Sequence, residues 1–183
     1  MFARTPRLLL RPGFPEDAPA LAQAIGDLAI VRNLSVVPWP YTVRDAEAYL
    51  ASPRDPVLPS FLVFERTDGP PRLVGSCGLG RRPSGAVELG YWIARSSWGR
   101  GFATEAGKAL VDIARALGLA QLKASHFTDN TASARVLEKL GFESTGITAP
   151  RMNCARGEEV PARLMRLRLR AAAATAEEEA LAA

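Results

Sequence analysis

Two hydrophobic periods run through this chain. After Gly101, Ala103, Ala106, Leu110, Ile113, Ala114 and Leu117 return at steps of three and four, while Glu105, Lys108, Asp112 and Arg115 fill the opposite side. That spacing predicts a long amphipathic helix, stopped by Gly118. In Arg166–Arg170 arginine and leucine alternate strictly, as in a strand with one wet face.

The remaining elements follow from the same periods and from turn residues. Arg7–Pro12 (RLLLRP) predicts a first strand. Pro15–Asp27 predicts a helix, with Pro15 at its start and acids in its first turn. Asn33–Pro40, with prolines on both sides of Trp39, reads as loop. Thr42 is placed to cap a second helix, Val43–Ala51, with Asp45 three positions on as in a capping box. Strands are expected at Ser60–Arg66, Arg72–Gly78 and Ala86–Ala94, separated by the turns Asp68-Gly69-Pro70 and Pro83-Ser84-Gly85. Gln121–Phe127 adds a strand and Thr131–Leu140 a short helix ended by Gly141. Phe142–Thr148 and Ala162–Arg170 close the sheet. The order β-α-α-β-β-β-α-β-α-β-β predicts a mixed α/β sheet in one domain over 1–170. Residues 171–183, rich in Ala and Glu, read as a frayed helix or a disordered tail.

Composition narrows the function. The 183 residues are 48% hydrophobic and 23% charged, ordinary for a globular domain. The net charge of +4 favours an anionic small molecule and is too spread out to argue for nucleic acid. No apolar run approaches the roughly 20 residues that span a bilayer. No secretory segment opens the chain, and Cys77 and Cys154 are its only cysteines, so a reducing cytoplasm is expected. One histidine, His126, and two distant cysteines argue against a dedicated zinc site. Cys77 reads as a small buried hydrophobe.

The candidate chemistry begins at Trp98-Gly99-Arg100-Gly101-Phe102, bare backbone between a strand and the long helix. A helix start carries unpaired N–H groups and partial positive charge, and glycines let an anion approach them. The ATP-binding loop does not fit, because Gly101 and Gly107 are separated by five residues and Ala109 stands where a metal-binding hydroxyl belongs. The dinucleotide fingerprint loses its third glycine to Thr104. A pyrophosphate such as that of coenzyme A remains.

Downstream, DNTASARVLEKLGFESTG (Asp129–Gly146) supplies Asn130, Ser133 and Glu138-Lys-Leu-Gly-Phe142. These residues resemble the second signature of the GNAT superfamily of acyl-CoA-dependent N-acyltransferases. The glycine loop resembles its first signature at Gly101 and Ala103. TPRLLLRP, WPYT and ELGYWIA look like the branch of the ribosomal-protein N-terminal acetyltransferases (RimJ/RimL-like). The resemblance covers residues 5–170. It implies a mostly antiparallel sheet of about seven strands flanked by about four helices, splayed between the strands at 86–94 and 121–127.

It also implies acetyl-CoA as cosubstrate, no metal, a primary-amine acceptor, and a monomer or homodimer. Tyr91, Trp92, Ile93, Trp98, Gly99, Arg100, Gly101, Phe102, Ala103, Thr104, Asn130 and Ser133 are then expected at the cofactor, with Arg100 helping the pyrophosphate. Trp39, Tyr41, Glu88 and His126 are expected at the acceptor. Ser133 is the candidate general acid and Glu88 the candidate base, each with a plain reading beside it: a serine bonding backbone at a helix start, and an exposed carboxylate at a strand end. The chain departs from the family at Leu137, where many relatives place a tyrosine as general acid. The branch's glutamate on the strand after the second signature is also absent; Met152 lies near that point, and Glu158 and Glu159 follow. A peptide or protein N-terminal α-amine is the expected acceptor. Small amines, or a CoA-binding regulatory module without catalysis, are the alternatives.

Overall fold

The computed structural model describes residues 1–169. The expected tail at 171–183, and Arg170 at the end of the last predicted strand, lie outside the described residues. Eight strands form one sheet: β1 Ala3–Arg4, β2 Leu8–Arg11, β3 Ser60–Glu65, β4 Arg72–Arg81, β5 Val87–Ile93, β6 Gln121–Phe127, β7 Glu143–Asn153 and β8 Glu158–Arg168. Their spatial order is β1-β2-β3-β4-β5-β6-β8-β7. All neighbours are antiparallel except β5 and β6, which run parallel.

Each face of the sheet carries its own helices. The helices α4 (Phe102–Ala116) and α5 (Thr131–Lys139) bury Phe102, Ala106, Leu110 and Leu137 against Leu8, Leu10, Phe61, Val63, Leu89 and Leu122. On the opposite face, α1 (Ala18–Ile25) and α3 (Val43–Ala51) pack Leu21, Ala46 and Leu50 on Leu62 and Phe64. Neighbouring residues of β3 thus divide between the two cores, as strand alternation requires. Thr42 and Asp45 form the expected capping box, the Thr42 hydroxyl accepting from Asp45 N–H and the Asp45 carboxylate from Thr42 N–H.

The departures have local causes. Strand β1 has only two residues, too few for any periodic signal. The first predicted helix is a 3-10 turn, Pro15–Asp17, followed by α1. It ends at Ile25, because Asp27 is not its last residue but the cap of a further helix, α2 (Leu28–Val31), accepting from Ala29 N–H at 2.8 Å. Strands β7 and β8, 11 residues each, form a hairpin that extends beyond the predicted strands Phe142–Thr148 and Ala162–Arg170 into the residues between them. Most of β7 is exposed on both faces, so it has no apolar alternation to detect, and Pro150 further obscures it.

Two features position the site. Strands β5 and β6 share a single registered pair, Glu88 with Lys123, and then diverge. The N–H of Ala94 bonds to Val74 on the β4 side. Antiparallel alternation therefore turns the N–H groups of Tyr91 and Ile93 toward the gap beside β6. In addition, the β7–β8 turn is bolted to the loop after α2. The fully buried Asn153 donates from Nδ2 to the carbonyls of Arg32 (2.9 Å) and Leu34 (3.1 Å) and accepts from Arg156 N–H (2.8 Å). Cys154 N–H reaches Ser35 O, and Arg156 pairs with Asp129. Asn153→Ala strips the Leu34 carbonyl and the Arg156 N–H of their partners and should cost about 2 kcal/mol in urea unfolding. A loss below about 0.5 kcal/mol would mean that Asn153 does not hold this wall.

Candidate active site

The splay between β5 and β6 opens into a cleft of about 890 Å³ that reaches both faces of the sheet. At its upper end lies the glycine loop. Gly99 (φ 75°) and Gly101 (φ 78°) both adopt the left-handed backbone that side chains disfavour, and together they turn the chain from β5 into α4. No side chain caps α4, so its first N–H groups have no side-chain partner. The loop is tied from below. Arg7 donates to the Arg100 carbonyl at 2.9 Å and pairs with Glu105 at 2.6 Å. Trp98 donates from its indole N–H to Ile93 O at 2.7 Å, closing the top of the splay.

Alternation along β5 assigns its side chains to two faces. Val87, Leu89, Tyr91 and Ile93 belong to the core under α4 and α5. Glu88, Gly90 and Trp92 face the side of α1 and α3, where Trp92 packs. On the α5 side, the Tyr91 hydroxyl lies 2.8 Å from Ser133 Oγ, and Asn130 caps α5 by accepting from Ser133 N–H at 3.1 Å. Burial pushes the Tyr91 phenol up to about 12, against a smaller opposing effect of its bond to Ser133. It is therefore protonated throughout the neutral range.

On the opposite face, Glu88 is not a free carboxylate. It is bound by Arg82, accepts from Ser125 at 2.9 Å and has Arg151 at 3.6 Å. Burial alone would raise its carboxyl, but the bonds from Arg82 and Ser125, together with the charges of Arg151 and Arg82, hold it below the usual glutamate value. Glu88 is also the single acid in the lining of the cleft among the described residues, a lining that carries the cations Arg81, Arg82, Arg135 and Lys139. Those residues include no group of three or more His, Cys, Asp and Glu side chains arranged to hold a metal.

The Acetyltransferase (GNAT) domain model matches residues 7–143 of this sequence. The chain belongs to the GNAT acetyltransferase family. The uncharacterized N-acetyltransferase p20 of Bacillus licheniformis is 30% identical over 151 residues, covering 78% of this chain and 83% of p20. Two solved structures share the fold. A GNAT-family acetyltransferase from Bacillus anthracis superposes with a TM-score of 0.75 at 22% identity, over 92% of this chain and 98% of the other. RimL, a ribosomal alpha-N-protein acetyltransferase solved with coenzyme A, gives a TM-score of 0.77 at 17% identity, over 93% and 99% of the two chains.

Within this GNAT chain, Gly99, Gly101, Phe102, Ala103, Thr104, Asn130, Ser133, Tyr91, Trp92, Ile93, Trp98, Tyr41 and Glu88 all border the one cleft. Three expected residues are placed differently. The Arg100 guanidinium turns away to Glu65, donating at 3.0 Å, and lies over the Phe102 ring. Together with Arg72 it holds Glu65 down to about 2, and Arg100 does not border the cleft. Trp39 is 42% exposed and lies outside the cleft lining. His126 borders the cleft but shares the face of Leu122 and Ala124, the α4 side of the sheet, across from Glu88. Leu137, at the family's tyrosine position, is buried core.

The sequence reading missed the Tyr91–Ser133 pair, because a contact between β5 and α5 leaves no local pattern. Arg82 beside Glu88 was findable: Pro83-Ser84-Gly85 marks a tight hairpin that pairs Gly80 with Glu88, and Arg82, two residues on, lies on the same face as its diagonal neighbour.

Proposed function

We propose that the protein transfers the acetyl group of acetyl-CoA to the α-amine of a peptide or protein N-terminus by direct attack in a ternary complex. The unpartnered N–H groups at the start of α4 offer a seat for the pyrophosphate. Arg135 and Lys139 of α5 add positive charge along the same wall. The pantetheine arm fits the splay, where the N–H groups of Tyr91 and Ile93 face the gap and are placed to bond its amides or polarise the thioester carbonyl. RimL was solved with coenzyme A, and the similarly folded microcin C7 self-immunity acetyltransferase MccE with acetyl-CoA and AMP. MccE is 14% identical, with a TM-score of 0.75 over 90% of this chain and 94% of its own.

In the step itself, the neutral amine attacks the thioester carbon, the C–N bond forms, the C–S bond breaks, the leaving thiolate takes a proton from Ser133, and the proton shed by the acylated nitrogen returns to Ser133 through water. Ser133 is the donor that meets the sulfur, with the protonated Tyr91 phenol behind it. The observation that supports this acceptor is the state of Glu88. A carboxylate held low by Arg82 and Ser125 is a weak base, so the amine must arrive already neutral. An α-amine near pKa ~7.8 is neutral at pH 7 for about 1 kcal/mol, whereas a lysine near ~10.4 requires about 4.6 kcal/mol. The RimJ/RimL-like motifs support the same acceptor.

The test is mass spectrometry on a peptide with a free N-terminus and an internal lysine. Acetylation is expected mainly at the N-terminus, and modification mainly at lysine would overturn the assignment. Ser133→Ala should lower kcat by about 100-fold or more, within the range for a positioned proton donor. Tyr91→Phe should lower it less, and add little in the Ser133→Ala background, since its effect passes through Ser133. Fully additive losses would separate Tyr91 from Ser133.

A further inference from the structure

The face of the sheet below α1 and α3 has a bare strip. Gly90 of β5 is registered opposite Gly78 of β4, and Gly78 opposite Ser60 of β3. This row crosses three strands at right angles to their direction, starting beside the splay. Gly80, the next β4 residue on the same face, lies opposite Glu88. A Cβ placed at Gly90 or Gly80 would meet nothing within 4 Å, and neither glycine has a positive φ. The backbone does not require glycine at those two positions, and no side chain of the protein fills the space above them. Two strand spacings make the row about 10 Å long, the length of roughly three extended residues.

The row leads outward. At its far end the Tyr49 hydroxyl of α3 meets Ser60 Oγ at 3.2 Å. There the cleft adjoins a second hollow of about 380 Å³ that shares Tyr49, Ser60, Leu79, Gly80 and Arg81 with it and continues to Arg54. A second way out, between the loop after α2 and the β7–β8 turn, is closed by the Asn153 and Arg156 bonds to Arg32 and Leu34 and by Cys154 N–H on Ser35. A compact amine would need neither a bare row nor an exit.

We propose that the acceptor is an extended chain lying across the sheet, its amine beside Gly90 and Glu88, its first residues over Gly90, Gly78 and Ser60, and its continuation leaving through the hollow at Tyr49 and Arg81. This rests on the transferase reading above and adds the acceptor's path and minimum length. Gly90 is the specificity-determining residue in it, because a side chain there would lift the acceptor from the sheet, whereas a Cβ at Gly78 would already stand 2.9 Å from the Pro59 carbonyl oxygen.

The experiment measures kcat/KM with saturating acetyl-CoA over a series sharing one N-terminal residue: the amino-acid amide, then di-, tri-, tetra- and hexapeptide amides. At least a tenfold rise from the amino-acid amide to the tetrapeptide is expected, with little change beyond it. In Gly90→Ala, where the added methyl meets no protein atom, KM for the tetrapeptide should rise tenfold or more, with acetyl-CoA affinity by calorimetry within twofold of wild type. Equal kcat/KM across the series, or an unchanged tetrapeptide KM in Gly90→Ala, overturns the path while acetyl transfer stands. Absence of both acetyl-CoA binding and thioester cleavage overturns the transferase reading, and the path with it.

Discussion

The fold depends on one incomplete contact. Parallel strands β5 and β6 meet at Glu88 and Lys123 and then separate, in a sheet whose other neighbours pair antiparallel. A separated strand leaves backbone donors and acceptors without ladder partners, which costs free energy unless something else satisfies them. Here Trp98 takes the Ile93 carbonyl, while the inward N–H groups of Tyr91 and Ile93 face a cleft. Most of the candidate site residues border that opening. The glycine loop closes its top, α5 brings Asn130 and Ser133 to one side, and Glu88 and Trp92 stand on the other.

The distribution of charge follows a similar logic. The cleft holds four cationic side chains and one acid, and that acid is neutralised by Arg82. Such a surface suits an anionic cosubstrate and discourages polycationic acceptors. It also limits the chemistry, because a carboxylate held ionised by arginine has little appetite for a proton. Arg100, whose place in the glycine loop suggested a phosphate contact, is instead locked to Glu65. The proposed anion seat is main chain, turned by the positive-φ backbone of Gly99 and Gly101.

Much of this was legible in the sequence. Helix α4 announced itself through a 15-residue amphipathic pattern, α3 through its capping box, and β6 matched its expected bounds. The expected splay lies between the strands named for it, and the two GNAT signatures fall at the cleft. What was not legible depends on long-range registration. The exposed strand β7 has no apolar period, and α2 was hidden because Asp27 looks the same as a helix end or a helix start. The bare row is the clearest case: Gly78, Gly80 and Gly90 look like ordinary strand glycines until β4 is set against β5 and Gly78 against Ser60.

The central claim is that the gap beside β5 is the seat of the cosubstrate arm. Amide hydrogen exchange of Tyr91 and Ile93, with and without saturating acetyl-CoA, tests it most directly. If the arm bonds these groups, both amides should exchange at least tenfold more slowly in the complex, while Trp92, already turned toward β4, changes little. Unchanged exchange at Tyr91 and Ile93, with acetyl-CoA shown by calorimetry to be bound, would contradict the account.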